Sequence, residues 1–212
     1  NLCDDGELDT YTISCDLQGG TSDQEFPMDY NVLSDTITLS APTKNGYTFK
    51  GWTGTDLEGT QTSVTIPTGS TGNRSYVASW EINDYTITYV LDGGTISGSN
   101  PTYYTFETGT FELETPTKDG HTFKGWTGEG ITTPTLTVQI LEGTTGNKTY
   151  TANWLVNYTI TYNLNGGSEN SNPTIFTSES PAITLEKPTK TGYTFKGWTG
   201  TGLSTETEVV TI

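Results

Sequence analysis

The sequence predicts a mainly β chain built from tandem modules of about 73 residues, arranged end to end. Three observations carry that reading. One stretch is written three times: PTKNGYTFKGWTG at residues 42–54, PTKDGHTFKGWTG at 116–128 and PTKTGYTFKGWTG at 188–200. Its tryptophans, Trp52, Trp126 and Trp198, stand 74 and 72 residues apart, which is the mark of a tandem repeat. No segment keeps a helical period for two full turns, so each module is allowed one short helical turn at most.

Composition agrees. Hydrophobic residues make up only 31% of the 212, and Thr, Ser, Gly and Asn dominate the rest, a mixture suited to short strands and many turns. A unit of this length is near the lower limit for a single core. Five Trp, twelve Tyr and seven Phe therefore matter, because each buries a large area. The expected organisation is an acidic leader at 1–10, modules at 11–82 and 85–155, and a third at 158–212.

Each module opens on an alternating strand: YTISCDLQGG from Tyr11, YTITYVLDGG from Tyr85 and YTITYNLNGG from Tyr158. In the second copy Tyr85, Ile87, Tyr89 and Leu91 face one way, with threonines on the wetter side. The Gly-Gly pairs at 19–20, 93–94 and 166–167 are read as supplying positive φ in a tight turn. A second strand is expected near 28–32, 103–106 and 174–177, and short apolar runs follow at 37–39, 111–113 and 183–185. The signature comes next, opened by Pro42, Pro116 and Pro188. Strict alternation through 47–52 puts Tyr47 and Phe49 on one face and Lys50 and Trp52 on the other. Two apolar faces predict a central strand, with Lys50 lying along the tryptophan ring. Val64 and Ile66, with Val138 and Ile140 or Val210 and Ile212 in the other copies, form another apolar pair. A closing strand alternates Tyr76, Ala78, Trp80 and Tyr150, Ala152, Trp154. The third repeat reaches Ile212 before such a strand: either its ordered part ends early or a strand from another chain completes it. The linkers at 81–84 and 155–157 are short and free of Pro and Gly, which predicts a semi-rigid string.

Those residues resemble the Listeria–Bacteroides repeat, also called the internalin B-repeat. The pattern is Tyr-x-Ile-x-Tyr…Gly-Gly, then Pro-Thr-Lys-x-Gly-Tyr-Thr-Phe-Lys-Gly-Trp, then Tyr-x-Ala-x-Trp, and it covers residues 11–212. The resemblance implies a β-grasp-like unit on secreted or surface-attached bacterial proteins, serving as stalk or adhesive module. It implies no catalytic or metal residue. Where the family often has a second aromatic after Gly-Trp, this chain always has Thr.

Charge narrows the partners. With 25 acidic and 9 basic residues the formal charge is −16, a field that repels nucleic acid and anionic membranes. No apolar run is long enough to span a bilayer. The chain shows neither signal peptide nor initiating Met, as in a mature product or an excised piece. Cys15 takes the place of Tyr89 and Tyr162, and a disulfide to Cys3 is expected to fill part of that gap, as suits an extracellular protein.

Little else carries chemistry. The single histidine, His121, replaces Tyr47 and Tyr193 and reads as a packing substitution. Asp92 beside a Gly-Gly turn is a weak calcium candidate whose equivalents are Gln18 and Asn165, so no cofactor is expected. The acidic residues rarely recur between repeats, and neither a carboxylate pair nor a triad is recognisable; an enzyme is not expected. Asn73, Asn147 and Asn157 begin acceptor sequences for N-glycosylation. Six lysines recur, and Lys50, Trp52, Lys124, Trp126, Lys196 and Trp198 form the candidate binding face. They suit stacking on sugars or pairing with acidic glycans, or the lysine stems simply cover aromatic surface.

The resulting expectation is a non-enzymatic, extracellular repeat region of a cell-surface protein, acting as semi-rigid stalk and adhesion module. One alternative is a module binding a host protein or glycan through the Lys/Trp face. Another is a surface-filament subunit that self-associates by strand exchange through the open third module.

Overall fold

A computed structural model describes residues 7–168 and 171–212. All regular structure in them is β, with no helix. The first repeat contains β1 (Tyr11–Asp16), β2 (Met28–Tyr30), β3 (Ile37–Leu39), β4 (Tyr47–Gly54), β5 (Val64–Ile66) and β6 (Arg74–Ile82). The second contains β7 (Tyr85–Val90), β8 (Tyr103–Tyr104), β9 (Phe111–Glu112), β10 (His121–Gly128), β11 (Ile131–Thr135), β12 (Gln139–Ile140) and β13 (Lys148–Val156). β14 (Tyr158–Thr159) and β15 (Ile175–Phe176) belong to the third.

The main sheet of the first repeat has the order β2-β1-β6-β4. β1 runs antiparallel to β2 and parallel to β6, while β6 and β4 are antiparallel. First and last strands side by side and parallel, each flanked by its antiparallel partner, is the β-grasp order. A parallel pair needs a long crossover, usually a helix. Here the crossover carries the short β3–β5 ladder, with Ile37 opposite Ile66 and Leu39 opposite Val64. Threonine and branched residues favour such extended pieces over a helical turn. In the second repeat the order is β11-β10-β13-β7-β8, with β12 paired to β9.

Two expectations need correction here. The central strand beside β1 is the closing strand β6, and the signature strand β4 lies at the end of the first sheet, whereas its counterpart β10 is interior, between β11 and β13, as expected. Strict alternation along the signature also fails. Phe49 pairs with Trp80 and Gly51 with Ser79, so Lys50 is the extra residue of a β-bulge; Lys124 is its counterpart between Phe123 and Gly125. The bulge turns Phe49 and Trp52 to the same side, where their rings meet edge to face at 5.4 Å. Phe123 and Trp126 repeat this at the same distance. Gly51 makes the bulge possible: its φ is +135°, and a Cβ there would lie 2.7 Å from the Gln61 carbonyl oxygen.

The first core consists of Ile13, Tyr30, Leu39, Trp52, Val64, Ile66, Tyr76 and Ala78, all buried. The equivalent Ile87, Tyr104, Leu113, Trp126, Val138, Ile140, Tyr150 and Ala152 are buried as well. Most of these are inward positions of period-two strands, Trp52 and Trp126 being turned inward by the bulge, so burial repeats with the sequence. By contacts the described chain divides into two units. The first takes the chain through Ile87 with Pro101–Phe111 and Gln139–Lys148. The second takes Thr88–Asn100, Glu112–Val138 and Thr149–Ile212.

Candidate functional site

In the first two repeats the signature tryptophans and lysines do not share a surface. Trp52 and Trp126 are wholly buried, and Trp198 is half-buried. The bulge instead sends the lysines outward. Lys50 donates to a Glu81 carboxylate oxygen at 2.8 Å and Lys124 to Glu179, while Lys196 is exposed. The Lys50 ammonium holds the Glu81 carboxyl below the usual carboxylate range. The expectation that Lys50 lies along the Trp52 ring is therefore replaced by an ion pair, and neither buried indole is placed to stack on a ligand.

The lysines that do lie over rings are the other recurring set, at the start of the signature. The Lys44 ammonium is 4.1 Å from the Tyr47 ring centroid and 6.0 Å from that of Trp80. Lys118 stands 5.8 Å from Trp154, and Lys190 is 4.4 Å from Tyr193. Each ammonium also donates to a turn carbonyl: Lys44 to Gln18 at 3.0 Å, Lys118 to Asp92 at 2.7 Å and Lys190 to Asn165 at 2.8 Å.

Those carbonyls belong to the turn after the first strand of each repeat. Gln18 and Gly19 have φ of 50° and 81°, and Gly20 N–H donates to Leu17 at 2.9 Å, a type I′ turn. Only the first glycine of each Gly-Gly pair is in the left-handed region, which corrects the reading that both supply positive φ. The second is needed for space. A Cβ at Gly20 would come within 2.5 Å of Trp80 Cζ2, and one at Gly94 within 2.4 Å of Trp154 Cζ2. The indole N–H of Trp80 donates to Leu17 O, and that of Trp154 to Leu91 O, both at 3.0 Å. Turn, lysine and closing-strand tryptophan thus form one clasp. Lysine, Gly-Gly and tryptophan recur together in the sequence, and that joint recurrence was the available signal for it.

The remaining candidates have local partners. Asn73 Oδ1 accepts from Thr12 N–H at 3.0 Å and Asn147 Oδ1 from Thr86 N–H at 2.9 Å, extending the parallel edge of the first strand in each repeat. Asn157 Oδ1 accepts from the Thr122 hydroxyl at 2.7 Å. Burial pushes the Cys15 thiol up to about 11; Cys3, its expected disulfide partner, lies outside the described residues. Tyr89, at the position equivalent to Cys15, is raised to about 12 by burial and by Tyr150. His121 Nδ1 lies 2.8 Å from the Asp119 carbonyl oxygen. Among the described residues no cluster of three or more His, Cys, Asp or Glu is placed to hold a metal. In the third repeat, Lys190, Phe195, Lys196, Trp198 and Glu206 line a cleft of about 400 Å³.

Over 203 residues the chain is 30% identical to a putative Gly-rich membrane protein of Evansella cellulosilytica, covering 94% of this chain and 22% of that protein. A putative membrane protein of the same organism is 32% identical over 203 residues, 94% of this chain and 29% of its own length. Internalin H of Listeria monocytogenes is 36% identical over 87 residues, 41% of this chain and 15% of that protein. The chain thus spans less than a third of each of these relatives. No solved structure matches it. The Listeria-Bacteroides repeat domain matches residues 11–78, 85–153 and 158–211, once for each copy of the signature, and the chain belongs to that family.

Proposed function

We propose that the chain is a non-enzymatic, extracellular repeat region of a cell-surface protein, serving as semi-rigid spacer and adhesion module. The observation that carries this is the use of the signature itself. Trp52 and Trp126 fill cores, Lys44 and Lys118 close the clasps, and Lys50 and Lys124 pair with carboxylates of the same chain. A motif so fully engaged internally suits a structural element repeated for length. The names of the relatives, two membrane proteins and an internalin, support placement at the cell surface.

The test is binding of the purified chain to glycan arrays and host cells. The adhesion role expects saturable binding to host cells that survives Lys50→Ala and Lys124→Ala, and an absence of binding would leave the spacer role alone. Saturable binding lost on Lys50→Ala and Lys124→Ala would return the function to the lysine face. One observation favours a second reading, in which the third repeat binds a glycan or protein: Lys196 and Trp198 both line its cleft. That reading requires binding to vanish with Lys196→Ala while the Lys50 and Lys124 variants bind normally.

A further inference from the structure

The signature turn of the first repeat carries a contact that the second lacks. Gly46, at φ +79°, lies directly beneath Phe106, a residue of the second repeat: an added Cβ would come within 2.3 Å of Phe106 Cβ and 2.6 Å of its Cγ. The Tyr47 ring lies 6.3 Å from that of Phe106, tilted by 57°, and the Tyr47 hydroxyl donates to Glu107. Phe106 is itself held, since its carbonyl accepts from Gly143 N–H at 3.0 Å. The linker fastens to the same turn. Asn83 N–H donates to Gly46 O at 2.9 Å, and the Thr48 hydroxyl to Asn83 Oδ1 at 2.6 Å.

The next turn, at Gly120, keeps the linker contacts and loses the aromatic one. Asn157 N–H donates to Gly120 O at 2.9 Å, and Thr122 to Asn157 as Thr48 does to Asn83. A Cβ at Gly120, however, meets no described atom within 4 Å. By alignment on Tyr104 and Phe176, Ser178 stands where Phe106 stands and Glu179 where Glu107 stands. Glu179 pairs with Lys124, and the place of Tyr47 is taken by His121.

We propose that the residue at the position of Phe106 and Ser178 sets how firmly each repeat is held to the one before it. An aromatic ring seated on the signature glycine makes a stiff joint, and a small residue leaves a loose one. The partner surface is the Gly46–Tyr47 turn, and its occupant is the Phe106–Glu107 loop of the following repeat in the same chain. Ring burial against a bare backbone is non-directional but short-ranged, so it fixes position closely and tolerates salt. An exposed ion pair such as Lys124–Glu179 holds weakly and is screened. The joint would behave in this way whether the chain serves as spacer or as adhesin.

Residual dipolar couplings of the whole chain test it, with β4 and β6 reporting the first repeat, β10 and β13 the second, and β14 and β15 the third. The first and second repeats of the unmodified protein fit one alignment tensor. Phe106→Ala removes that common fit while amide shifts within β4 and β6 stay in place. Ser178→Phe has the converse effect and draws the third repeat into alignment with the second. A common tensor that survives Phe106→Ala overturns the proposal, as does a Ser178→Phe chain whose second and third repeats align no better than before. Should Phe106→Ala unfold the second repeat, Ser178→Phe alone decides.

Discussion

The indole of Trp80 occupies the space that a side chain at position 20 would need, with Cζ2 within 2.5 Å of where a Cβ would sit. Gly20 is outside the left-handed region, so alanine there meets a packing conflict and no backbone penalty. Gly20→Ala and Gly94→Ala are each expected to destabilise by about 1–3 kcal/mol, the usual cost of overpacking. Urea unfolding followed by tryptophan fluorescence measures it, and an unshifted midpoint would contradict the clasp.

The two members of the repeated Lys/Trp pair should respond very differently to truncation. Trp52→Ala removes a fully buried indole and is expected to cost about 3–5 kcal/mol. Lys50→Ala removes an exposed ion pair and is expected to cost under about 1 kcal/mol. Parallel chemical denaturation of the two variants checks the contrast, and equal losses would mean that the lysine has a buried role.

Lys118 differs from Lys50 because its ammonium donates to a backbone carbonyl beside a tryptophan. Lys118→Met keeps most of the stem and loses the charged donor, for which about 1.5–3 kcal/mol is expected. Most of the loss should persist in high salt, since its main source is the 2.7 Å hydrogen bond, and only the part owed to the Asp92 carboxylate at 3.7 Å is screened. A penalty that disappears in salt would mark it as an ordinary surface charge.

Two pH limits follow from groups that lie on the surface. The Glu81 pKa is depressed, so its contribution is present above the unfolded carboxylate value and is lost as pH falls through the folded one. The Tyr47 pKa is raised, first by its hydrogen bond with Glu107, so that contribution is present below the ordinary value of 10.0 and is lost as pH rises beyond it. Lys50→Met should flatten the acid limb, and Tyr47→Phe the alkaline one. Thermal melts across pH read both, and unchanged limbs would remove these groups from the account.

In the reduced protein, Cys15 should be a slow nucleophile. Its thiol is raised to about 11 by burial, so thiolate is scarce at neutral pH and only the thiolate attacks. Alkylation by iodoacetamide followed by mass spectrometry should lag well behind a free thiol at pH 8. Rapid labelling would show the position open to solvent.

The period-two pattern made β1, β6 and the buried positions legible: Ile13, Tyr76 and Ala78 are read as inward from alternation alone, and they are inward. The signature strand misled because its alternation breaks at Lys50, and nothing local to Phe-Lys-Gly-Trp announces a bulge. The cause is distant: the Gln61 backbone crosses Gly51 and bridges Trp52, a contact set by a segment ten residues on. Sheet order was legible only in part: β10 is flanked by strands on both sides, as two apolar faces predict, whereas the corresponding side of β4 meets only the Trp52–Gln61 bridge. The clasp lysines were visible as recurring residues, but their partners, Gln18 and Asp92, differ in side chain because the shared acceptor is the carbonyl, to which Asp92 adds a carboxylate oxygen at 3.7 Å. A sequence does not display a contact made by backbone alone.

The parallel pairing of β1 with β6 has a mechanical meaning. A pull applied at Tyr11 and Ile82 drags two neighbouring strands in opposite directions along their length, loading the bonds of the ladder from Ile13–Arg74 to Asp16–Val77 in shear. Bonds sheared together fail together, whereas an antiparallel hairpin pulled at its open ends unzips one bond at a time. The strand order of the first repeat therefore places its strongest direction along the line on which tension would travel through the chain.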